Sequence, residues 1–104
     1  MASGVYGKAD LSASTWTTLV PAPTAGTKVC TVNLVNRTAA NVKVRIAIAA
    51  STTVADADNI EYDVSLPANG VLERTGIVLD TSNGIQVYAN AAGVSAVSFG
   101  IDGN

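Results

Sequence analysis

Alternation of apolar and polar residues with a period of two constrains this chain more than any other feature. In Thr27–Asn36 the even positions Cys30, Val32 and Leu34 are apolar, and Thr31 and Asn33 alternate with them. Asn41–Ala49 places Val42, Val44, Ile46 and Ile48 on one face and Lys43, Arg45, Ala47 and Ala49 on the other. Ile60–Leu66 sets Ile60, Tyr62, Val64 and Leu66 against Glu61, Asp63 and Ser65. Side chains of a strand point alternately to opposite faces, so each stretch predicts a strand with one face in a core. None shows the three-and-four spacing of a helix.

Weaker strand signals flank these. Thr15–Val20 is β-branched and aromatic and stops at Pro21. Val71–Leu79 changes parity around Gly76, which predicts a bulge there. Ile85–Ala89 alternates, Val94–Ile101 follows Gly93, and Val5–Leu11 fits an edge strand or an arm. Turn chemistry separates the runs: the Pro21–Gly26 loop, Asn36–Asn41 at hairpin length, and Pro67–Gly70 and Asp80–Gly84, which both end in Asn-Gly. Seven to eight strands with turns every 8–12 residues predict an all-β fold, an antiparallel β-sandwich of jelly-roll or Ig-like type. At 104 residues the chain is one domain. The expected division is an N-terminal arm or edge strand over 1–14 and the sandwich over 15–104. Lys43 and Arg45 face outward on one strand, as do Glu61 and Asp63 on the next. Antiparallel pairing would match them as two ion pairs, although the nine-residue loop Ser51–Asn59 equally suits a crossing between sheets.

Composition narrows the function. Charged residues are 13%, about half the usual ~25%. The net charge is −2, with no basic run, which excludes the electrostatic footprint of a nucleic-acid binder. There is no His, so the commonest general base and the usual zinc ligand are missing. The single Cys cannot form an intrachain disulfide. No apolar run reaches the ~20 residues of a membrane span, and Met1–Gly4 lacks the pattern of a signal peptide. The expectation is a soluble, non-enzymatic protein made in a cytoplasm, with no cofactor, metal, nucleic acid or membrane partner.

The remaining candidates are surfaces. Asp56-Ala57-Asp58-Asn59-Ile60-Glu61 is rich in carboxylates but fails the EF-hand spacing, and it reads as a solvated loop. Cys30 shares the apolar face of Val32 and Leu34 and reads as core. Trp16, Tyr62, Tyr88 and Phe99 fit core or interface anchoring. A glycan-binding face needs exposed aromatics together, and Tyr6 and Trp16 are the ones the pattern would leave for it. Glu73 and Arg74 are adjacent in a strand, so one of them points to the apolar side. Both would lie in water on an edge strand, or bridge a subunit contact. Tyr6, Trp16, Pro21, Pro23, Glu73 and Arg74 are therefore the candidate interface residues.

Six stretches in order resemble one family of small β-sandwich structural proteins of tailed bacteriophages. They are Thr31–Arg37, Val42–Ala49, Ile60–Asp63, Val71–Ile77, Ile85–Tyr88 and Val97–Ile101, and the resemblance spans roughly residues 15–102. The loop Val20–Gly26 departs from it, being longer than the expected Val-Pro-Ala-Gly turn. The resemblance implies a virion building block, assembled in the host cytoplasm, with no catalytic residues. Capsid decoration (cement) is the expected role, with a tail, neck or fibre component as the near alternative. A carbohydrate- or receptor-binding module is the alternative from another class. The implied partners are further copies of the chain, as a trimer or ring, and the major capsid protein or other virion proteins. A surface poor in charge and rich in Ala, Ser and Thr suits such packing, because ordering small side chains costs little entropy.

Overall fold

The computed structural model describes residues 4–103. Eight strands follow one another: β1 (Gly4–Leu11), β2 (Thr17–Val20), β3 (Thr27–Asn36), β4 (Val42–Ala49), β5 (Asn59–Leu66), β6 (Val71–Leu79), β7 (Gly84–Ala89) and β8 (Val94–Gly103). A single 3₁₀ turn, Asp56–Asp58, precedes β5. The strands form two four-stranded antiparallel sheets, β1-β8-β3-β6 and β2-β7-β4-β5. This order, in which the chain swings from sheet to sheet at nearly every connection, is a jelly roll. The expected antiparallel sandwich is thus what forms, and its type is settled. Gly4–Leu11 takes the edge-strand form, while Met1–Ser3 of the expected arm and Asn104 lie outside the described residues.

Connections differ from the turn reading. Asn36–Asn41, Pro67–Gly70 and Asp80–Gly84 each carry the chain from one sheet to the other instead of closing a hairpin. Their turn residues still do local work: Gly70 N–H donates to Pro67 O at 2.8 Å around Asn69 at φ 59°, and Ser82 N–H donates to Asp80 Oδ1 at 2.9 Å. Among the described residues the one hairpin of consecutive strands is β4–β5, which has the longest loop. The predicted bulge in β6 is present. Gly76 has φ +73°, and the register against β3 slips between Cys30–Ile77 and Val32–Arg74.

The inner faces meet in an aliphatic core. Val32, Leu34, Val44, Ile46, Leu79, Ile85, Val87 and Val94 are all fully buried, and Cys30 lies among them as expected. Burial of each large aliphatic side chain favours folding by about 1.5–3 kcal/mol. No aromatic ring of the described residues is fully buried. Strand β8 chooses its faces against expectation of size: Val94, Ala96 and Ser98 point inward and are buried, while Phe99 and Ile101 point out. Close strand approach is the reason. A Cβ on Gly100 would lie 1.9 Å from Val29 O, so this inner face has no room for bulk near its end.

Candidate functional site

Two outer faces are available, and they differ in chemistry. On the first sheet, Ile101 of β8, Val29 of β3 and Val78 of β6 are direct cross-strand neighbours. Val5 and Phe99 pair one row along, beside Thr31. Ile101, Val29 and Val78 are 64%, 46% and 63% exposed, so an aliphatic row crosses the sheet in open water. The next row, Lys8, Val97, Asn33 and Glu73, has charge only at its two ends. The candidate interface missed Val29, Val78 and Ile101. The sequence signal was present in β8, whose larger apolar residues sit at the odd positions.

The outer face of the second sheet carries a strip of rings and one guanidinium. Trp16 and Tyr88 have ring centroids 5.3 Å apart. The Arg45 guanidinium lies 4.6 Å from the Tyr88 ring and 4.3 Å from the Tyr62 ring. Arg45 Nε donates to Asp63 Oδ1 at 2.7 Å, which fixes the guanidinium between the two tyrosines. That hydrogen bond and ion pair hold the Asp63 carboxyl below its ordinary pKa and raise that of Arg45. Each cation–π contact at such a site is worth about 0.5–1 kcal/mol.

A backbone irregularity builds this strip. The β4–β5 register slips twice, between Val44 and Ile46 and between Ile46 and Ala47, and Asp63 has φ 51°. Left-handed backbone costs a non-glycine residue roughly 1–2 kcal/mol, less for Asp. As a result Glu61 and Tyr62 exchange the faces that alternation assigns them. Tyr62, expected on the core face, is 58% exposed beside Arg45. Glu61, expected outward with Asp63, is opposite Ile46 and meets Arg74 Nη1 at 2.8 Å. One of the two expected β4–β5 ion pairs therefore forms, Arg45–Asp63. The other is replaced by a bridge from β5 to β6 that closes one open side of the sandwich.

The candidate residues do not form one patch. Tyr6, in β1, is half-buried with its hydroxyl on Asp102 and Lys28 Nζ 4.7 Å from its ring. Burial first, then the Asp102 hydrogen bond and charge, push its hydroxyl up to about 12. Tyr6 is thus on the first sheet, apart from Trp16 on the second. Pro21 is exposed, and Pro23 is buried rather than displayed. Glu73 points out opposite Asn33, and Arg74 is the member of the pair that turns inward, with its partner in the same chain. The acidic stretch is largely engaged: Asp58 accepts from Ala55 N–H at 2.9 Å and Glu61 binds Arg74. Among the described residues no group of three or more His, Cys, Asp or Glu is placed to hold a metal ion.

Fold and surfaces define the class: a jelly-roll sandwich with an apolar outer face on one sheet and an aromatic–arginine strip on the other. No protein family, curated protein or solved structure matches this chain.

Proposed function

We propose that this chain is a non-enzymatic structural protein of a virion, a capsid decoration subunit that associates with copies of itself through the outer face of its first sheet. The observation that carries the reading is the exposed row Ile101–Val29–Val78 with Val5 and Phe99 beside it. A row of aliphatic side chains across a sheet is a surface that water disfavours and a second sheet face covers well. Charge at the margins, from Lys8, Asp10 and Glu73, would set the register between copies. The particle context rests on the six-stretch resemblance. Jelly rolls serve in both capsids and lectins, so the fold alone selects neither. A tail, neck or fibre position is the near alternative.

Sizing with light scattering over a range of concentrations tests the association. Covering Ile101, 64% exposed, is worth about 1–2 kcal/mol per copy. A symmetric contact uses the residue twice, so Ile101→Glu should weaken dimerisation by roughly 30- to 1,000-fold. Its thermal stability should stay near that of the parent, because an exposed site is changed. Parent protein that remains monomeric at every concentration refutes self-association. Failure of an oligomeric parent to bind undecorated capsids or other virion parts refutes the particle role.

A further inference from the structure

We propose that the cleft beside the 3₁₀ turn is a binding site for a neutral pyranose sugar, independent of the self-association face. The cleft is about 440 Å³ and is lined by Asp56, Asn59 and Tyr62. That volume lies within the ~300–1,000 Å³ of small-ligand sites. Its lining supplies three kinds of contact: a carboxylate that accepts from hydroxyls, a carboxamide that both donates and accepts, and an aromatic ring. A pyranose matches this set, with hydroxyls around its rim and C–H bonds on its face. An anion does not, because Asp56 would repel it and the nearby Arg45 guanidinium is already paired with Asp63.

Three observations support a prepared site. First, the bulged backbone at Asp63 turns Tyr62 out of the core, and strained backbone of this kind concentrates where a side chain has to be aimed. Second, the exposed ring is already held. Arg45 covers part of it, and Arg45 is itself fixed by Asp63 and Tyr88, so stacking a sugar orders little that is not ordered already. Third, Asn59 Oδ1 is buried without a hydrogen-bond partner, while its Nδ2 donates at 3.3 Å to Asp56 O. Rotation of this carboxamide toward the cleft would give the oxygen a partner in a sugar hydroxyl. Trp16 and Tyr88 extend the strip beyond Arg45. A single subsite binds weakly, and several copies in one assembly would multiply its effect by avidity.

The test is a ¹H–¹⁵N titration of the full chain with methyl glycosides of glucose, galactose and mannose, alongside N-acetylglucosamine and inorganic phosphate. Run on the Ile101→Glu variant, it does not depend on the association state. The expected result is saturable shifts at residues 45 and 56–63 with at least one neutral sugar and none with phosphate. Tyr62→Ala should weaken binding about tenfold or more, and Tyr62→Phe should retain it. Asp56→Ala should weaken it as well, and Tyr6→Phe on the other sheet should leave it unchanged. Circular dichroism of each variant checks the fold. Absence of saturable shifts at the cleft with every neutral sugar overturns the proposal, as does binding by Tyr62→Ala equal to the parent. A preference for phosphate there also overturns it.

Discussion

Asn36 should be among the most costly polar residues to replace. It is completely buried at the end of β3, where the chain leaves the first sheet for the second. The two N–H groups of its Nδ2 are shared among the carbonyls of Ala40 at 2.8 Å, Leu66 at 3.0 Å and Pro67 at 3.0 Å. Its Oδ1 accepts from Thr38 N at 2.9 Å and Thr38 Oγ1 at 2.7 Å. One side chain thus ties the β3–β4 loop to the end of β5. Asn36→Leu keeps the branched shape with more bulk and removes every one of these bonds. Ala40 O lies on an exposed residue that water can reach, but the bond to Leu66 O is buried. With a net ~0.5–1.5 kcal/mol per bond, and ~1–3 for a buried acceptor left unpaired, the loss should be about 3–5 kcal/mol. That is a large share of the ~5–15 kcal/mol available to a domain, and it should lower Tm by roughly 15–30 °C. Urea unfolding followed by circular dichroism measures the loss directly. Asn36→Asp sharpens the test, because a buried carboxylate facing three carbonyls has its pKa raised in the folded state. Folding then takes up a proton, so this variant should gain stability relative to the parent as pH falls from the raised pKa to the ordinary carboxylate pKa, and the gain should level off below it. A loss under about 1 kcal/mol for Asn36→Leu, or no relative gain for Asn36→Asp in acid, would refute the reasoning.

Three further outcomes follow from packing and charge. Gly100→Ala should destabilise by about 3 kcal/mol or more, since the new methyl meets Val29 O at 1.9 Å and a strand has to move; chemical denaturation reads it. Cys30 is buried and its thiol pKa is pushed up by burial, so a thiol reagent should label it only through opening of the fold; adding denaturant should accelerate labelling steeply. The Arg45–Asp63 interaction is fully present above the ordinary Asp pKa and is lost as pH falls through the lowered one. Asp63→Asn tolerates the same left-handed backbone, so the stability gap between parent and variant should narrow on acidification, as paired pH-dependent melts would show.

Periodicity made the sandwich legible because alternation reports directly on which side of a sheet is buried. Strand β3 follows it residue by residue and β4 does so over Val42–Ile46, whereas β7 is buried on both faces and Ala47 and Ala49, assigned outward, are buried too. It failed in β5 for a physical reason: inserted residues break the period, and nothing in Ile60-Glu61-Tyr62-Asp63 marks a bulge as Gly76 marks the one in β6. The aromatic strip was illegible in consequence, since its exposed ring depends on that slip. Strand neighbours were also out of reach. Asn-Gly predicts a tight turn, and tight turns formed, but a turn does not specify whether the next strand joins the same sheet. Asn36 was legible only as loop punctuation, although its five bonds fix how the loops meet.

The position of β8 sets the order in which this molecule can come together. It pairs with both β1 and β3, so Val94–Gly103, the last of the eight strands, is an inner strand of the first sheet. Emerging from a ribosome, β1 has no neighbour in its sheet until that segment is made, and β3 has only β6. The second sheet can complete its pairing once β7 is available. Contacts that join opposite ends of a chain belong to slow, millisecond-to-second folding. During that interval the edges of β1 and β3 are open templates for strands of other nascent chains. A chain interrupted before Val94 would keep those edges permanently, with Val32 and Leu34 uncovered beside them.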